Sequence, residues 1–410
     1  MNNNSSPNIV PNIVIIVIDA FRPDHMSLFG YKKETDKNLK RIAKESILFS
    51  NHFSVANGTA PAVTTILSGL FPSTHGVRHQ FPYTKPEEYE KVKNIYFWLP
   101  TFLKNIGYST MAFDWLGEWF EKGFDYYKES EIETDKLFVP TKDTIDLAIS
   151  KISKAKEPFF AFMHLWDTHF PFPNTIYKGK GKDESEKILK SIKNEKQREY
   201  VKKRMDSAKL YCIDEIKEKY DLTLKEVDKE IGRFYDYLDS IGILDNTLLV
   251  ILGDHGDVIA DHGIYLANCS LFDCAIKSPL IIKVPNEKEK VIEEYVQNVD
   301  IVPTLLDFIR KKINIDEKIK LDGESLLPLL VGKEKEHKEM LIFDAFANDV
   351  RAVRTKNRKL IIAKDEFCNM CKSSHHHGIE EYDLDKDPGE TKNVFSTNSK
   401  LLQFVTSSDF

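Results

Sequence analysis

The sequence predicts an α/β fold in which a doubly wound, mostly parallel sheet with helices on both faces precedes a small antiparallel subdomain. Residues 13–18 and 248–252 are continuous apolar runs rich in β-branched side chains, as expected of strands buried on both faces. Strand-like and helix-like segments alternate between these runs, which favours a parallel sheet. After residue 332 the pattern changes to short strands, which indicates a second unit.

The first half of the chain supports this prediction element by element. An amphipathic helix is predicted at 38–46 and a strand from 47. Pro61 is favoured in the first turn of a helix and Gly69 at its end, so residues 61–68 are predicted to be helical. The next elements in order are a strand at 108–113, a helix at 141–152 and a strand at 159–165.

The second half begins with a segment dense in Lys and Glu, residues 177–219, which we interpret as a charged helical insertion above the carboxyl edge of the sheet. A helix at 224–238 and a strand at 247–252 complete a main domain over residues 1–332. Residues 333–410 form the small C-terminal subdomain, with strands predicted at 340–343, 350–354, 360–363 and 381–384.

Composition excludes several classes of function. A net charge of −6 over 410 residues gives no reason to expect a nucleic-acid partner. No apolar run approaches the roughly 18 to 20 residues of a membrane span, so we expect no integral membrane segment. The first seven residues carry no Lys or Arg and the first apolar run ends in Asp19, which argues against a secretory signal and predicts a cytoplasmic location. The oligomeric state stays open.

Two short strings carry the chemistry, because each puts metal-ligand side chains at the end of a predicted strand. Asp19 follows the strand at 13–18, and Asp254 and His255 follow the strand at 248–252. In an open α/β sheet, ligands bind at the carboxyl ends of the strands, so these three residues can converge on one cation. Thr59 lies just before Pro61, at a predicted helix N-terminus that favours an anionic group.

Residues 57–69 resemble the sulfatase signature, with Thr59 where that signature has Cys or Ser. Further matching strings follow in the family's order, at residues 164–171, 299–306, 321–327 and 382–390. Together they resemble the sulfatase-like branch of the alkaline phosphatase superfamily. The resemblance implies an alkaline phosphatase-like fold and a metal-dependent enzyme that acts on an ester.

Departures from the sulfatase pattern point to one group of relatives. Sulfatases convert their Cys or Ser to formylglycine, whereas Thr59 would give a ketone. Val63 replaces the Arg of the signature, and Ala20 replaces the second Asp of the metal site. His255 stands where sulfatases have Asn or Gln. The chain is therefore similar to Thr-nucleophile relatives, namely phosphodiesterases, phosphonate hydrolases and phosphoethanolamine transferases.

This resemblance implies Thr59 as the nucleophile of a covalent phospho-threonine intermediate. Its metal ligands would be Asp19, Thr59, Asp254 and His255. Oxygens with one imidazole suit zinc or manganese best, with calcium or magnesium as alternatives. His169 would contact the transferred group or protonate the leaving group, with Asn57 and His262 as further substrate-binding residues.

The substrate is expected to be a small-molecule, glycan or lipid-headgroup phosphoester or sulfate ester. Hydrolysis and phosphoryl transfer to an acceptor both stay open. A sulfuric ester hydrolase is one alternative, because the order of the strings is that of sulfatases. A catalytically silent binding protein with the same fold is another, motivated by Ala20, Val63 and Ala267.

The remaining Cys and His residues are given structural interpretations. Five cysteines scattered through a large chain suit reduced thiols better than disulfides. Cys368 and Cys371 have the spacing of a zinc knuckle and precede the imidazoles of 375–377, but with only one Cys pair we favour a mobile loop. Cys269 is considered as a soft ligand of a second active-site metal, and His164 is predicted to pack inside beside its strand.

Overall fold

A computed structural model of the protein describes residues 10–80, 84–114, 116–117, 120–128, 139–179, 185–310, 319–333, 341–344, 350–364, 367–368 and 370–404. Parts of the predicted insertion, at 180–184, and of the first C-terminal strand, at 340, lie outside the described residues. None of the helices in these ranges combines the length and apolar character needed to cross a bilayer.

An eight-stranded sheet forms the centre of the protein, in the order β4-β3-β5-β1-β6-β7-β2-β8. All neighbouring pairs are parallel except those that involve β7, which runs antiparallel to β6 and β2. Its strands are β1 (Asn12–Ile18), β2 (Ile47–Phe53), β3 (Ser109–Phe113), β4 (Tyr126–Lys128), β5 (Phe159–Leu165), β6 (Thr247–Gly253), β7 (Leu280–Lys283) and β8 (Lys290–Gln297).

Helices cover both faces of this sheet. They are α1 (Lys37–Ala43), α2 (Thr59–Ser68), α3 (Pro72–His75), α4 (Pro86–Lys93), α5 (Leu99–Asn105), α6 (Thr141–Ile152), α7 (Ser185–Ser191), α8 (Glu195–Ala208), α9 (Ile213–Ser240), α10 (Asp273–Ile276), α11 (Ile301–Arg310) and α12 (Leu327–Leu330). Side chains of β1 alternate between the faces: Val17 packs with α2, α5 and α11, whereas Ile16 and Ile18 pack with α1, α6 and α9. The doubly wound, mostly parallel fold is therefore confirmed.

The C-terminal residues form the predicted antiparallel sheet, in the order β14-β11-β10-β9. Its strands are β9 (Leu341–Asp344), β10 (Val350–Arg354), β11 (Arg358–Ala363) and β14 (Ile379–Asp383), and a two-stranded hairpin, β12 (Phe367–Cys368) and β13 (Ser373–Ser374), precedes β14. Within the charged insertion, α7 and α8 lie between residues 185 and 208, and residues 213–219 begin the long helix α9.

A buried ion-pair network ties this smaller sheet to the main one. Lys359 in β11 is fully buried, and its Nζ lies 2.9 Å from Asp273 Oδ1 and 2.7 Å from Glu390 Oε1. Glu390 also accepts the backbone N–H of Asp273, at the start of α10, at 2.6 Å. A buried charge needs such partners, because an unpaired charge in an apolar interior is costly. The network therefore fixes the C-terminal sheet against the edge of the main sheet that carries α10.

Candidate active site

Polar side chains gather at the carboxyl ends of neighbouring parallel strands. Asp19 follows β1 and Asp254 follows β6, its neighbour in the sheet, while His164 is the penultimate residue of β5 on the other side of β1. The backbone N–H of Asp19 donates to Leu165 O at 2.9 Å, and that of Asp254 donates to Ile18 O at 3.3 Å. Both Asp residues therefore stay within the sheet's hydrogen-bond pattern and lie at the same edge.

Asp19, His164 and Asp254 present ligand atoms that all lie within 4.8 Å of one another. His164 Nε2 is 4.0 Å from Asp19 Oδ2 and 4.0 Å from Asp254 Oδ2, which is too long for a hydrogen bond. All three side chains are buried. A divalent cation with coordination bonds of about 2 Å fits a gap of this size.

Asp114 sets the orientation of the His164 ring. It follows β3, and its Oδ1 lies 3.0 Å from His164 Nδ1. A carboxylate oxygen accepts, so Nδ1 is the donor and the lone pair of the neutral ring is on Nε2, which faces Asp19 and Asp254. A metal-binding histidine commonly donates its other N–H to a carboxylate in this way.

Thr59 is the first residue of α2, and its hydroxyl joins the same group. Thr59 Oγ1 lies 3.2 Å from Asp19 Oδ2 and 3.2 Å from His255 Nε2. Every residue of α2 is buried, with Val63 packed into the core, so the helix is held rigidly against the sheet. The helix fixes the Thr59 oxygen next to the carboxylates.

The His255 ring is fixed by its own loop. Its Nδ1 lies 2.6 Å from the carbonyl oxygen of Gly256, an acceptor, and 2.8 Å from the side-chain nitrogen of Asn268, a donor. Its Nε2 lies 3.3 Å from Asp254 Oδ2. This approach is favourable only with a proton or a cation between the ring nitrogen and the carboxylate.

The electrostatics of the group also favour a cation. Burial raises the pKa of the Asp19 carboxyl well above its ordinary value, and the nearby charges of Asp254 and Asp257 raise it further. Within the group of Asp19, His164 and Asp254, three buried atoms have no hydrogen-bond partner among the described residues: Asp19 Oδ1, His164 Nε2 and Asp254 Oδ2. Buried polar atoms are rarely left unpaired. The residues present therefore fit the divalent metal that the fold family implies.

His164 is buried beside its strand, as predicted, and its Nε2 also faces the candidate metal site. In register, His164 pairs with Val17 of β1, whose side chain lies on the same face as α2. Side chains alternate between the two faces along β5, and Asp114 follows β3. These two features are the sequence signal that could have identified His164 as a candidate metal ligand.

A small cavity of about 40 Å³ opens beside the Thr59 group. Two expected substrate-binding residues, Asn57 and His169, are among its lining residues. The others include residues that the sequence did not single out, namely Gln80, Arg204, Asp257, Asn268 and Met370. Arg204 comes from α8, so the charged insertion contributes a cationic side chain to the site, with its guanidinium 4.4 Å from the ring centre of Phe170.

His169 lies at this cavity in a neutral state. Burial and, to a smaller extent, the positive charge of Arg204 lower its pKa to about 3. A neutral imidazole can donate one hydrogen bond to an anion, but it is a poor reservoir of protons at neutral pH. The structure therefore favours contact with the anion over proton donation to the leaving group.

The structure places His262, which was predicted to bind the substrate, outside the small cavity. Its ring stacks on Phe272 with ring centroids 3.6 Å apart. It adopts a positive φ of 54°, and Gly263 follows with 71°. Substrate binding by His262 stays a prediction.

The first backbone N–H groups of α2 were expected to be free to bind an anion, but a side chain contacts two of them. The side-chain oxygen of Gln80 accepts the backbone N–H of Thr59 and lies 3.4 Å from the N–H of Ala60. An amide oxygen therefore occupies the place where these groups would hold an oxygen of an anion.

The fold and the edge site define an alkaline phosphatase-like α/β protein. The family model "Sulfatase" matches residues 11–310, so the chain belongs to the sulfatase family. A second model, for the C-terminal region of N-sulphoglucosamine sulphohydrolase, matches residues 260–406.

Similar proteins carry names of several activities. An ulvan-active sulfatase of Formosa agariphila is 25% identical over 86% of this chain, which spans 60% of that protein's length. An N-acetylglucosamine-6-O-sulfatase of Bacteroides thetaiotaomicron is 24% identical, with 94% of this chain and 82% of that protein covered. The crystal structure of a phosphonate monoester hydrolase of Agrobacterium radiobacter superposes with a TM-score of 0.70 at 18% identity, covering 96% of this chain and 93% of that one, which shows a shared fold.

Proposed function

We propose that the protein is a metal-dependent hydrolase of a phosphoester that carries one negative charge, such as a phosphodiester, with Thr59 as its nucleophile. The observation that carries this proposal is the position of Thr59 Oγ1, 3.2 Å from both Asp19 Oδ2 and His255 Nε2. A hydroxyl on a rigid helix, beside two groups that can take up its proton, has the geometry of an activated nucleophile.

The cation would be held by Asp19, His164 and Asp254, with His255 beside them, and a mixture of oxygens and imidazoles suits zinc or manganese. When bound, it supplies positive charge that stabilises an anionic oxygen. Thr59 Oγ1 then attacks phosphorus as its proton passes to a neighbouring base, the bond to the alcohol breaks, and the alcohol oxygen gains a proton. Water later cleaves the phospho-threonine, which restores the hydroxyl and releases the phosphoryl product.

The charges around the cavity support a singly charged substrate. Arg204 is the cationic side chain among the described lining residues, which also include Asp257. The carboxylates of Asp114, Asp254 and Asp257 all act on Asp19, so four carboxylates belong to the site, and one divalent cation together with Arg204 would leave one of their charges unbalanced. A phosphate monoester carries nearly two negative charges at neutral pH, so it would need further positive charge.

A sulfate ester is the second candidate substrate, and the names of the relatives favour it. The ulvan-active sulfatase and the N-acetylglucosamine-6-O-sulfatase are both named for sulfate esters. A sulfate ester also carries one charge, so the charge argument accepts it equally. Thr59 decides our preference, because its β-carbon carries a methyl group and oxidation there would give a ketone, whereas formylglycine is an aldehyde.

The test compares an aryl phosphodiester, an aryl phosphate monoester and an aryl sulfate with zinc and with manganese. We expect turnover in that order, and loss of at least about 10³-fold in kcat for Thr59→Ala. Thr64→Ala is the matched control, because it removes a hydroxyl of the same buried helix that donates only to Ala60 O, at 2.7 Å. Mass spectrometry after acid quenching should find the phosphoryl group on Thr59.

Each result has a defined meaning. Preferred turnover of the aryl sulfate would replace the phosphoester by the sulfate ester. Equal activity of Thr59→Ala and the wild type would exclude Thr59 as nucleophile. Tight metal binding without turnover of any of the three esters would favour the catalytically silent binding protein.

A further inference from the structure

Four side chains of metal-ligand type converge at a second place, outside the Thr59 group. They are Cys269, Cys368, Cys371 and His375, and their ligand atoms all lie within 4.8 Å of one another. Cys269 belongs to the loop after β6, whereas the other three belong to the C-terminal hairpin and the residue that follows it. All four are buried, the three cysteines completely.

The local backbone of the hairpin presents its two thiols together. Cys368 ends β12, and the backbone N–H of Lys372 donates back to Cys368 O at 3.0 Å, which closes a tight turn. Lys372 has a positive φ of 60°, and Ser373 then pairs with Cys368 in the register of β13. His375 follows β13 directly, so turn and hairpin bring one imidazole beside two thiols.

The composition of this cluster is that of a zinc site. Three thiolates and one imidazole are the ligands of a tetrahedral structural zinc ion, whose zinc–sulfur bonds of about 2.3 Å imply sulfur–sulfur separations of roughly 3.8 Å. The four ligand atoms of the cluster lie within 4.8 Å of one another, which is compatible with these separations. Among the described residues, the ring nitrogens of His375 have no hydrogen-bond partner other than the neighbouring cysteine thiols. A disulfide would use two of the thiols and leave the third, with the ring, in an apolar interior.

We propose that Cys269, Cys368, Cys371 and His375 bind a structural zinc ion that fastens the C-terminal hairpin to the active-site edge of the main sheet. The proposal departs from two expectations, that of a mobile loop at Cys368 and Cys371 and that of Cys269 as a ligand of a second active-site metal, because Cys269 lies with the hairpin thiols. The sequence pattern did not indicate this zinc site because Cys269 lies far from the two hairpin cysteines in the sequence. It meets them only where the two sheets pack together.

The position of the cluster connects it to the cavity. Asn268, which precedes Cys269, has its Nδ2 2.8 Å from His255 Nδ1 and also donates to Asn57 O. Met370, which lies between the two hairpin cysteines, lines the cavity. The zinc ion would therefore hold two lining residues, one from each domain, at fixed positions.

The experiment uses the full chain, purified without chelator and with zinc in the medium. We expect the wild type to hold roughly one equivalent more of dialysis-resistant zinc than Cys371→Ser, because the Thr59 group can also bind zinc in both proteins. Cys212→Ser is the matched control, because Cys212 lies at the start of α9, outside the cluster. Asp19→Asn should keep this equivalent, since it alters only the Thr59 group. After replacement of zinc by cobalt, thiolate-to-cobalt absorption in the near ultraviolet should be present in the wild type and in Asp19→Asn, and absent from Cys371→Ser.

A measurement on the wild type keeps the test independent of whether the cysteine variants fold. The thiols of the wild type are modified stepwise with a mercurial reagent, and the released zinc is measured with a colorimetric indicator. We expect the amount of released zinc to rise in proportion to the number of buried thiols modified. Modification without release of zinc would overturn the proposal. A disulfide between cluster cysteines in the purified, zinc-free protein, or equal zinc content in Cys371→Ser and the wild type, would overturn it as well.

Discussion

Replacement of Asp114 by Asn should weaken cation binding at the Thr59 group without removal of any of its ligands. Asp114 Oδ1 accepts the Nδ1 proton of His164 at 3.0 Å, and both side chains are buried. The negative charge of Asp114 makes the opposite ring nitrogen a stronger ligand and fixes its tautomer. The amide oxygen of Asn can still accept this proton, so the substitution removes the charge and keeps the geometry.

The size of the effect follows from the neighbours of Asp114. Its other oxygen, Oδ2, lies 3.2 Å from Tyr127 Oη, which is also 3.3 Å from Gly117 O. Tyr127 can therefore donate to Gly117 and accept from the new amide, so no buried polar group is left unpaired. Loss of an outer partner of this kind costs about 10- to 100-fold in metal affinity. With the geometry kept, we expect the lower end, about tenfold or ~1.4 kcal/mol.

The assay is a titration with Mn²⁺, with free Mn²⁺ followed by electron paramagnetic resonance. Manganese is chosen because thiolate ligands bind this hard cation poorly, so the Cys269 cluster should not contribute. Asp228→Asn is the matched control: Asp228 is a buried carboxylate that accepts the backbone N–H of Leu39 at 2.8 Å, far from the site. Unchanged affinity in Asp114→Asn, or an equal loss in Asp228→Asn, would refute the proposed role.

Three further substitutions test other parts of the structure. Arg204→Met should raise KM for an anionic ester by roughly tenfold, with a smaller change in kcat, because a charge-assisted contact is lost; steady-state kinetics with an unchanged KM would contradict this. Lys359→Met leaves Glu390 buried without its cation, whereas Asp273 keeps Arg354 at 3.1 Å, so urea unfolding should show a loss near the lower end for a broken buried pair, about 3 kcal/mol. Burial lowers the pKa of His75 from 6.5 to about 3. Between these two pH values the unfolded chain therefore binds more protons than the folded protein. Stability should therefore be full above pH 6.5 and fall towards pH 3, and His75→Gln should make unfolding midpoints less dependent on pH across this window.

Local patterns were sufficient for β1, β2, β3, β5 and β6 and for part of the site, whereas β4, β7 and β8 were not predicted. The apolar runs that precede Asp19 and Asp254 define β1 and β6, and Pro61 and Gly69 define α2, so these residues could be placed from sequence alone. Convergence at one edge then follows from the parallel arrangement, without knowledge of side-chain contacts.

The residues that were missed depend on information that a local pattern does not contain. His164 requires the register between β5 and β1, and Arg204 requires the way in which α8 folds back over the edge. Cys269 meets Cys368 only through the packing of two sheets. His262 was expected at the site because it follows Asp254 closely, but it stacks on Phe272 and does not line the small cavity.

The central claim is that one divalent cation lies among Asp19, His164 and Asp254, next to the Thr59 hydroxyl. Anomalous diffraction from crystals of the manganese-loaded protein, recorded at the metal's absorption edge, tests it most directly. We expect a peak at a coordination distance of about 2 Å from a ligand atom of each of the three residues. A map without a peak there, or one with Thr59 Oγ1 directed away from the peak, would contradict the claim.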